Sequence, residues 1–136
     1  MNGQTKGGKH MNFPKELKYT KTHEWVRFID EKTAYIGITD FAQDQLGDLV
    51  FVNLPAEGDV LAAGESFADV ESVKAVSDVN SPVSGTVQQV NEALADTPEK
   101  MNETPYDAWF VLAGDITGTD ELMDAEAYEA FVESEG

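Results

Sequence analysis

Cysteine is absent from this 136-residue chain, so it forms no disulfide framework, no thiolate zinc site and no cysteine nucleophile. Any thiol chemistry must come from an attached group. Histidine is scarce: only His10 and His23 occur, so a Ser-His-Asp triad would have to use His23, and no Gly-x-Ser-x-Gly elbow accompanies it. Gly-rich phosphate loops and metal-ligand clusters are missing as well. No apolar run approaches the roughly 20 residues that a helix needs to cross a bilayer. Basic residues number 9 against 26 acidic ones, and the net charge of −17 opposes binding to nucleic acid or to anionic membranes. The opening MNGQTKGGKH has no hydrophobic stretch and reads neither as a secretory signal nor as an Arg-rich transit peptide. Residues 1–11 are expected to be a disordered leader, and 12–136 a single domain large enough to bury about two thirds of its unfolded surface.

What is present reads mainly as β-structure. Trp25-Val26-Arg27-Phe28-Ile29 and Ala34-Tyr35-Ile36-Gly37-Ile38 are rich in β-branched and aromatic residues and flank the turn Asp30-Glu31-Lys32, which predicts a hairpin. Asp40 with Gln43 resembles a capping box, and Gly47 can close a helix in a left-handed conformation, so residues 40–46 are expected to be helical with Phe41 and Leu46 facing the core. Strands are expected at 49–54, 66–72, 75–80 and 85–90, between turns at Pro55, Gly58, Gly64 and Pro82. Pro55-Ala56-Glu57-Gly58-Asp59-Val60 recurs 27 residues later (82 − 55) as Pro82-Val83-Ser84-Gly85-Thr86-Val87. Asn91 can cap a short helix through Ala95, and Thr97-Pro98 begins another turn. Residues 120–123 and 124–132 read as helical, with Leu122, Met123, Tyr128, Phe131 and Val132 buried and Glu121, Glu126, Glu129 and Glu133 in water.

Between Lys32 and Lys100 the one basic residue is Lys74, in the run ESVKAVSDVNSPVSGTV, amid many carboxylates. A lysine kept for solubility would have basic company; a lone amine at a tight turn, between small Val73 and Ala75, suits an enzyme that must reach and acylate its nitrogen. Surface lysines at hairpin tips are also ordinary, because loop tips are polar and exposed.

The whole run closely resembles the lipoylation segment of the glycine cleavage system H protein family. The resemblance extends in order through YTKTHEWV, IGITDFAQDQLGDLVFVNLP, GESFADVESVKA, VNEAL and LMDAEAYEAF, and so covers nearly everything from Leu17 onward. It implies a mainly β barrel-sandwich hybrid of the lipoyl and biotinyl carriers, with short helices, a C-terminal helical segment and no catalytic residue of its own. Biotin carriers usually flank the lysine with Met, and lipoyl domains of 2-oxo acid dehydrogenases typically show Asp-Lys-Ala; Glu-Ser-Val-Lys-Ala resembles the H protein instead. The implied cofactor is lipoate in amide linkage to Lys74. By the same resemblance Glu71 and Gly85 match residues required by the lipoylating enzyme, and Thr22, His23, Glu24 and Asp78 match the cleft around the arm and its cargo.

The implied role is a shuttle. A pyridoxal-phosphate-dependent glycine decarboxylase loads an aminomethyl group from glycine, an aminomethyltransferase passes the carbon to tetrahydrofolate, and dihydrolipoamide dehydrogenase reoxidises the dithiol. Lipoate ligase or lipoyl transferase attaches the cofactor. The expected carrier is monomeric, cytoplasmic in a bacterium or in the mitochondrial matrix after removal of a transit peptide. The chain departs from the family's pattern at Phe41 and Gln45, where histidines are frequent, and at Pro105-Tyr106-Asp107-Ala108-Trp109, where Pro-Tyr-Gly-x-Gly-Trp is frequent. Two other readings are an H-like protein serving lipoyl relay or sulfur oxidation, and an unmodified structural β module.

Overall fold

The computed structural model describes residues 11–135, so the expected leader lies, except for Met11, outside the described residues. The chain runs β1 (Lys18–Tyr19), β2 (Glu24–Asp30), β3 (Thr33–Ile38), α1 (Asp40–Leu46), β4 (Leu49–Asn53), β5 (Val60–Leu61), β6 (Ser66–Ser72), β7 (Val76–Asn80), β8 (Val83–Val90), α2 (Glu92–Asp96), α3 (Lys100–Glu103), β9 (Val111–Thr119) and α4 (Ala125–Glu135). Two antiparallel sheets result. One has the order β1-β2-β3-β9-β8-β5, the other β4-β6-β7. Alternation decides what each strand buries: Val26, Ala34, Ile36, Val52, Val70, Val79, Val87 and Ala113 join one core cluster. Trp25, one residue from Val26, joins a second cluster with Leu17, Tyr19, Phe41 and Tyr128, which α4 covers.

Gly37 explains how Trp25 fits. The two are cross-strand partners, and a Cβ on Gly37 would stand 2.6 Å from the indole ring, so the missing side chain leaves room for it. The Pro-x-x-Gly repeat also acquires a physical meaning. Its two copies pair with each other: Val60 lies opposite Thr86 and Leu61 opposite Gly85, while Val87 N–H donates to Asp59 O at 2.9 Å and Gly58 N–H to Val87 O at 2.8 Å. An antiparallel crossing at matched positions is what two-fold related segments make, with the hairpin bearing Lys74 on the stretch between them.

Several expectations need correction. Thr39, not Asp40, caps α1: its hydroxyl accepts from Ala42 N–H, while Asp40 begins the helix and accepts from Gln43 Nε2 at 2.8 Å. Asn91 precedes α2, but its side chain donates to Trp109 O rather than capping. The segment 120–123 is not helical: Met123 bridges to Tyr19, the two exchanging backbone hydrogen bonds at 2.7 and 2.8 Å on the outer side of β1. Strand β9, which the residue patterns did not announce, lies between β3 and β8 in the larger sheet. Asp124 caps α4 by accepting from Ala127 N–H, and the helix buries Tyr128 and Val132 with Phe131 half-buried, while Glu126, Glu129 and Glu133 are exposed.

Candidate functional site

Lys74 stands in the turn between β6 and β7 and is exposed. The turn needs no left-handed residue, because Ser72 closes it: Ser72 N–H donates to Ala75 O at 2.7 Å, and Ser72 Oγ accepts from Lys74 N–H and Ala75 N–H at 3.2 and 3.0 Å. Local side-chain to backbone bonding of this kind is what makes serine favourable in turns. The tip is also tied to the next layer, since Val73 N–H donates to Asp48 O at 3.0 Å. Gly47 lies beneath the lysine stem, and a Cβ there would stand 3.4 Å from Lys74 Cε. With φ of +85° and ψ of −161°, Gly47 occupies a region that is essentially closed to other residues.

Val50, Phe51, Val73 and Val76, on the small sheet and its hairpin, are 54, 48, 69 and 68% exposed, four of the seven large apolar side chains left uncovered among the described residues. Phe51, Glu71 and Val76 lie across from one another on the outer face of the small sheet, and Asn53, Asp69 and Asp78 form the next row. Glu71, expected to serve in recognition, is exposed in this row three residues before Lys74. Asp78 is exposed, opposite Asp69, and no hydrogen bond or ion pair among the described residues engages its carboxylate.

Glu24 is the opposite case. It is 2% exposed, yet both carboxylate oxygens are engaged: Oε1 accepts from Thr20 Oγ1 at 2.6 Å and from Thr22 Oγ1 at 2.5 Å, and Oε2 accepts from Asn80 N–H at 3.1 Å. Burial raises its pKa above the ordinary carboxylate value, and the three donors pull it back in part. Asn80 ends β7, which is the edge strand of its sheet. The outer edge of β7, which pairs with no strand among the described residues, therefore runs from Val76, two residues after Lys74, to Asn80, whose N–H meets Glu24.

His23 does not join this group. Its φ of +75° turns the ring toward α4, where Nδ1 lies 2.8 Å from Tyr128 Oη and Nε2 lies 3.1 Å from Glu135 Oε1. Burial lowers its pKa, and Glu135 opposes that shift. Phe41 packs on the same ring at 4.8 Å between centroids, so the departure from histidine at this position produces an aromatic contact. Gly85 is separate too: it lies in β8 of the larger sheet, and a Cβ there would stand 2.5 Å from Gly114 O. A packing demand alone therefore requires glycine at 85.

Sequence reasoning missed Ser72 and Asn102, and it read Gly47 only as the end of α1; together the three hold the turn. Asn102 reaches from α3 to the α1–β4 connection, donating to Gly47 O and Gln43 Oε1 and accepting from Leu49 N–H. A serine two residues before the lysine was a readable signal. The partners of Asn102 lie more than 50 residues away in sequence, and no local pattern announces them.

Comparison with known proteins agrees with this architecture. The family model described as glycine cleavage H-protein matches residues 17–135. The glycine cleavage system H protein of Lachnoclostridium phytofermentans is 62% identical over 125 residues, covering 92% of this chain and 98% of that protein. The Geobacillus kaustophilus H protein is 54% identical, with 90 and 98% covered. The crystal structure of a glycine cleavage system H protein from Mycobacterium marinum superposes with a TM-score of 0.81 at 39% identity, covering 87% of this chain and 97% of that one. With a two-sheet β scaffold that presents an exposed hairpin lysine, and with these relatives matched over nearly the whole described length, one conclusion is left: the chain belongs to the glycine cleavage H-protein family.

Proposed function

We propose that Lys74 carries lipoate in amide linkage and that the chain is the mobile carrier of the glycine cleavage system, taking the aminomethyl group of glycine from the decarboxylase to the aminomethyltransferase. The observation that carries this reading is the placement of Lys74, an exposed amine at a rigidly closed hairpin tip with a free strand edge running from it to a buried carboxylate. Lipoate, when attached, supplies the sulfur chemistry that a chain without cysteine lacks. The residues present fit the group: the tip leaves Nζ uncrowded, the stem rests on Gly47, and apolar Val73 and Val76 flank it. Residues of this chain do the positioning and the protection, not the bond making.

Glu71 is assigned to recognition by the lipoylating enzyme, since it is exposed beside Lys74 and no hydrogen bond or ion pair among the described residues engages its carboxylate. Gly85 is kept as a second recognition position, although its packing against Gly114 accounts for the residue by itself. Thr22, Glu24 and Asp78 are assigned to the cargo. The aminomethyl group ends in an ammonium ion, whose desolvation along the β7 edge would be offset by Glu24 at its end and by Asp78 beside it. Thr22 tunes this site by donating to Glu24. His23 contributes by holding α4 rather than by meeting cargo. The partners are the decarboxylase, the aminomethyltransferase, dihydrolipoamide dehydrogenase and a lipoate ligase or lipoyl transferase, met as a monomer in the bacterial cytoplasm.

Lys74→Arg tests the reading. Arginine keeps the charge and the exposure, so the fold should melt within about 1 kcal/mol of wild type, as surface substitutions do. Incubation with lipoate, ATP and ligase should add no mass, and glycine-dependent exchange of carbon dioxide should fall to background. Lipoylation or exchange surviving in the variant would overturn the assignment.

A further inference from the structure

We infer that Asn102 is a positioning residue for Lys74: it fixes the α1–β4 connection that in turn anchors the acceptor hairpin. This rests on the reading of Lys74 as the lipoylated residue. The amide orientation of Asn102 is settled by chemistry, because Leu49 N–H can only donate and Gly47 O can only accept, so Oδ1 must face the first at 2.9 Å and Nδ2 the second at 3.0 Å. These two contacts flank Asp48 on both sides. Asp48 in turn offers its carbonyl to Val73 N–H at 3.0 Å, one residue before Lys74, and Gly47 supplies the surface on which the lysine stem rests.

The same amide donates to Gln43 Oε1 at 2.9 Å, and Gln43 Nε2 donates to Asp40 Oδ1 at 2.8 Å, which ties the connection to the start of α1. Three bonds from one half-buried side chain therefore set the height and tilt of the hairpin tip without touching Lys74. Removing them leaves Gly47 O and Leu49 N–H without these partners and lets Asp48 turn, so the tip would be presented in many orientations instead of one. Loss of orientation is costly in group transfer, since a misplacement of about 1 Å can cost up to about a hundredfold in rate.

The experiment compares wild type, Asn102→Ala, and Val132→Ala as a control destabilised in α4. Three readouts are taken well below every melting temperature: initial rate of lipoylation by ligase, hydrogen exchange of the Val73 amide, and reaction of Lys74 with acetic anhydride, which requires no docking. Asn102→Ala should slow enzymatic lipoylation about tenfold, speed exchange at Val73, and leave the anhydride reaction unchanged, while Val132→Ala changes none of the three. Should the alanine variant not fold, Asn102→Asp keeps the acceptor for Leu49 and removes both donations, with the same outcome expected. Unchanged lipoylation in the folded variants, or an equal loss in Val132→Ala, would overturn the inference. A wild-type protein that takes lipoate elsewhere than on Lys74 would overturn the parent reading instead.

Discussion

The two ends of strand β7 treat polar groups in opposite ways. At the Lys74 end the chain exposes an amine, several valines and Phe51, and spends its hydrogen bonds on fixing the turn. At the Asn80 end it buries Glu24 and engages both carboxylate oxygens. Lys74 is left uncovered on a turn that local hydrogen bonds close; Glu24 is enclosed, with a donor to each of its oxygens. The difference shows where this chain places its hydrogen bonds, in the backbone beneath Lys74 and in the side chains around the Glu24 carboxylate.

The largest effect, after the loss of lipoylation expected for Lys74→Arg, should come from Gly85→Ala. The new methyl would meet Gly114 O and the Ile116 backbone, at 2.5 and 3.3 Å, neither of which can swing aside. Overpacking of this kind costs roughly 1–3 kcal/mol. Thermal melting should show that loss, and lipoylation of the remaining folded protein should be measured beside it. Glu71→Gln provides the contrast, leaving stability within about 0.5 kcal/mol and slowing the ligase. A Gly85→Ala protein of normal stability that resists lipoylation would move Gly85 from packing to recognition.

Asp78→Asn should act on cargo and little on the fold. Its carboxylate faces Asp69 across the strands, so neutralising it relieves a like-charge pair and shifts stability by only a few tenths of a kcal/mol. The loaded carrier should nevertheless lose ammonia and formaldehyde about tenfold faster, if one charge-assisted contact of about 1.5–3 kcal/mol is removed. An unchanged decay rate would exclude Asp78 from cargo protection.

Glu24 gives the smallest effect and the sharpest in sign. Its folded pKa is raised by burial, so the folded state holds its proton more tightly than the unfolded one, and this contribution to stability is present at low pH and lost as pH rises through the raised value. Relative to Glu24→Gln, wild type should therefore gain stability as pH is lowered from neutral. The gap can be read from denaturant midpoints across pH. A gap that narrows on acidification would mean that the three donors, not burial, dominate the carboxylate.

The readable parts of this molecule were the local ones. Strand β6 and helix α1 fell at the expected residues because alternation, a cap and Gly47 all act within a few positions. Lys74 stands out in the sequence by its isolation among carboxylates, and the structure exposes it at a hairpin tip; the lipoate reading comes from family resemblance. Strand β9 was not, because Gly114, Asp115 and Gly118 dilute its pattern and its partners β3 and β8 supply the order. Met123 was misread since a helical-looking stretch was captured by Tyr19, about a hundred residues upstream. The direction of His23 depended on a positive φ that no neighbouring residue announces.

The most direct test of the carrier assignment is intact-mass measurement with peptide mapping of the wild-type chain after incubation with lipoate, ATP and lipoate ligase. One lipoyl group should be gained, on the peptide that contains Lys74, with the net charge moving from −17 to −18 as the amine becomes an amide. No mass gain, or a lipoyl group on any other lysine, would contradict it.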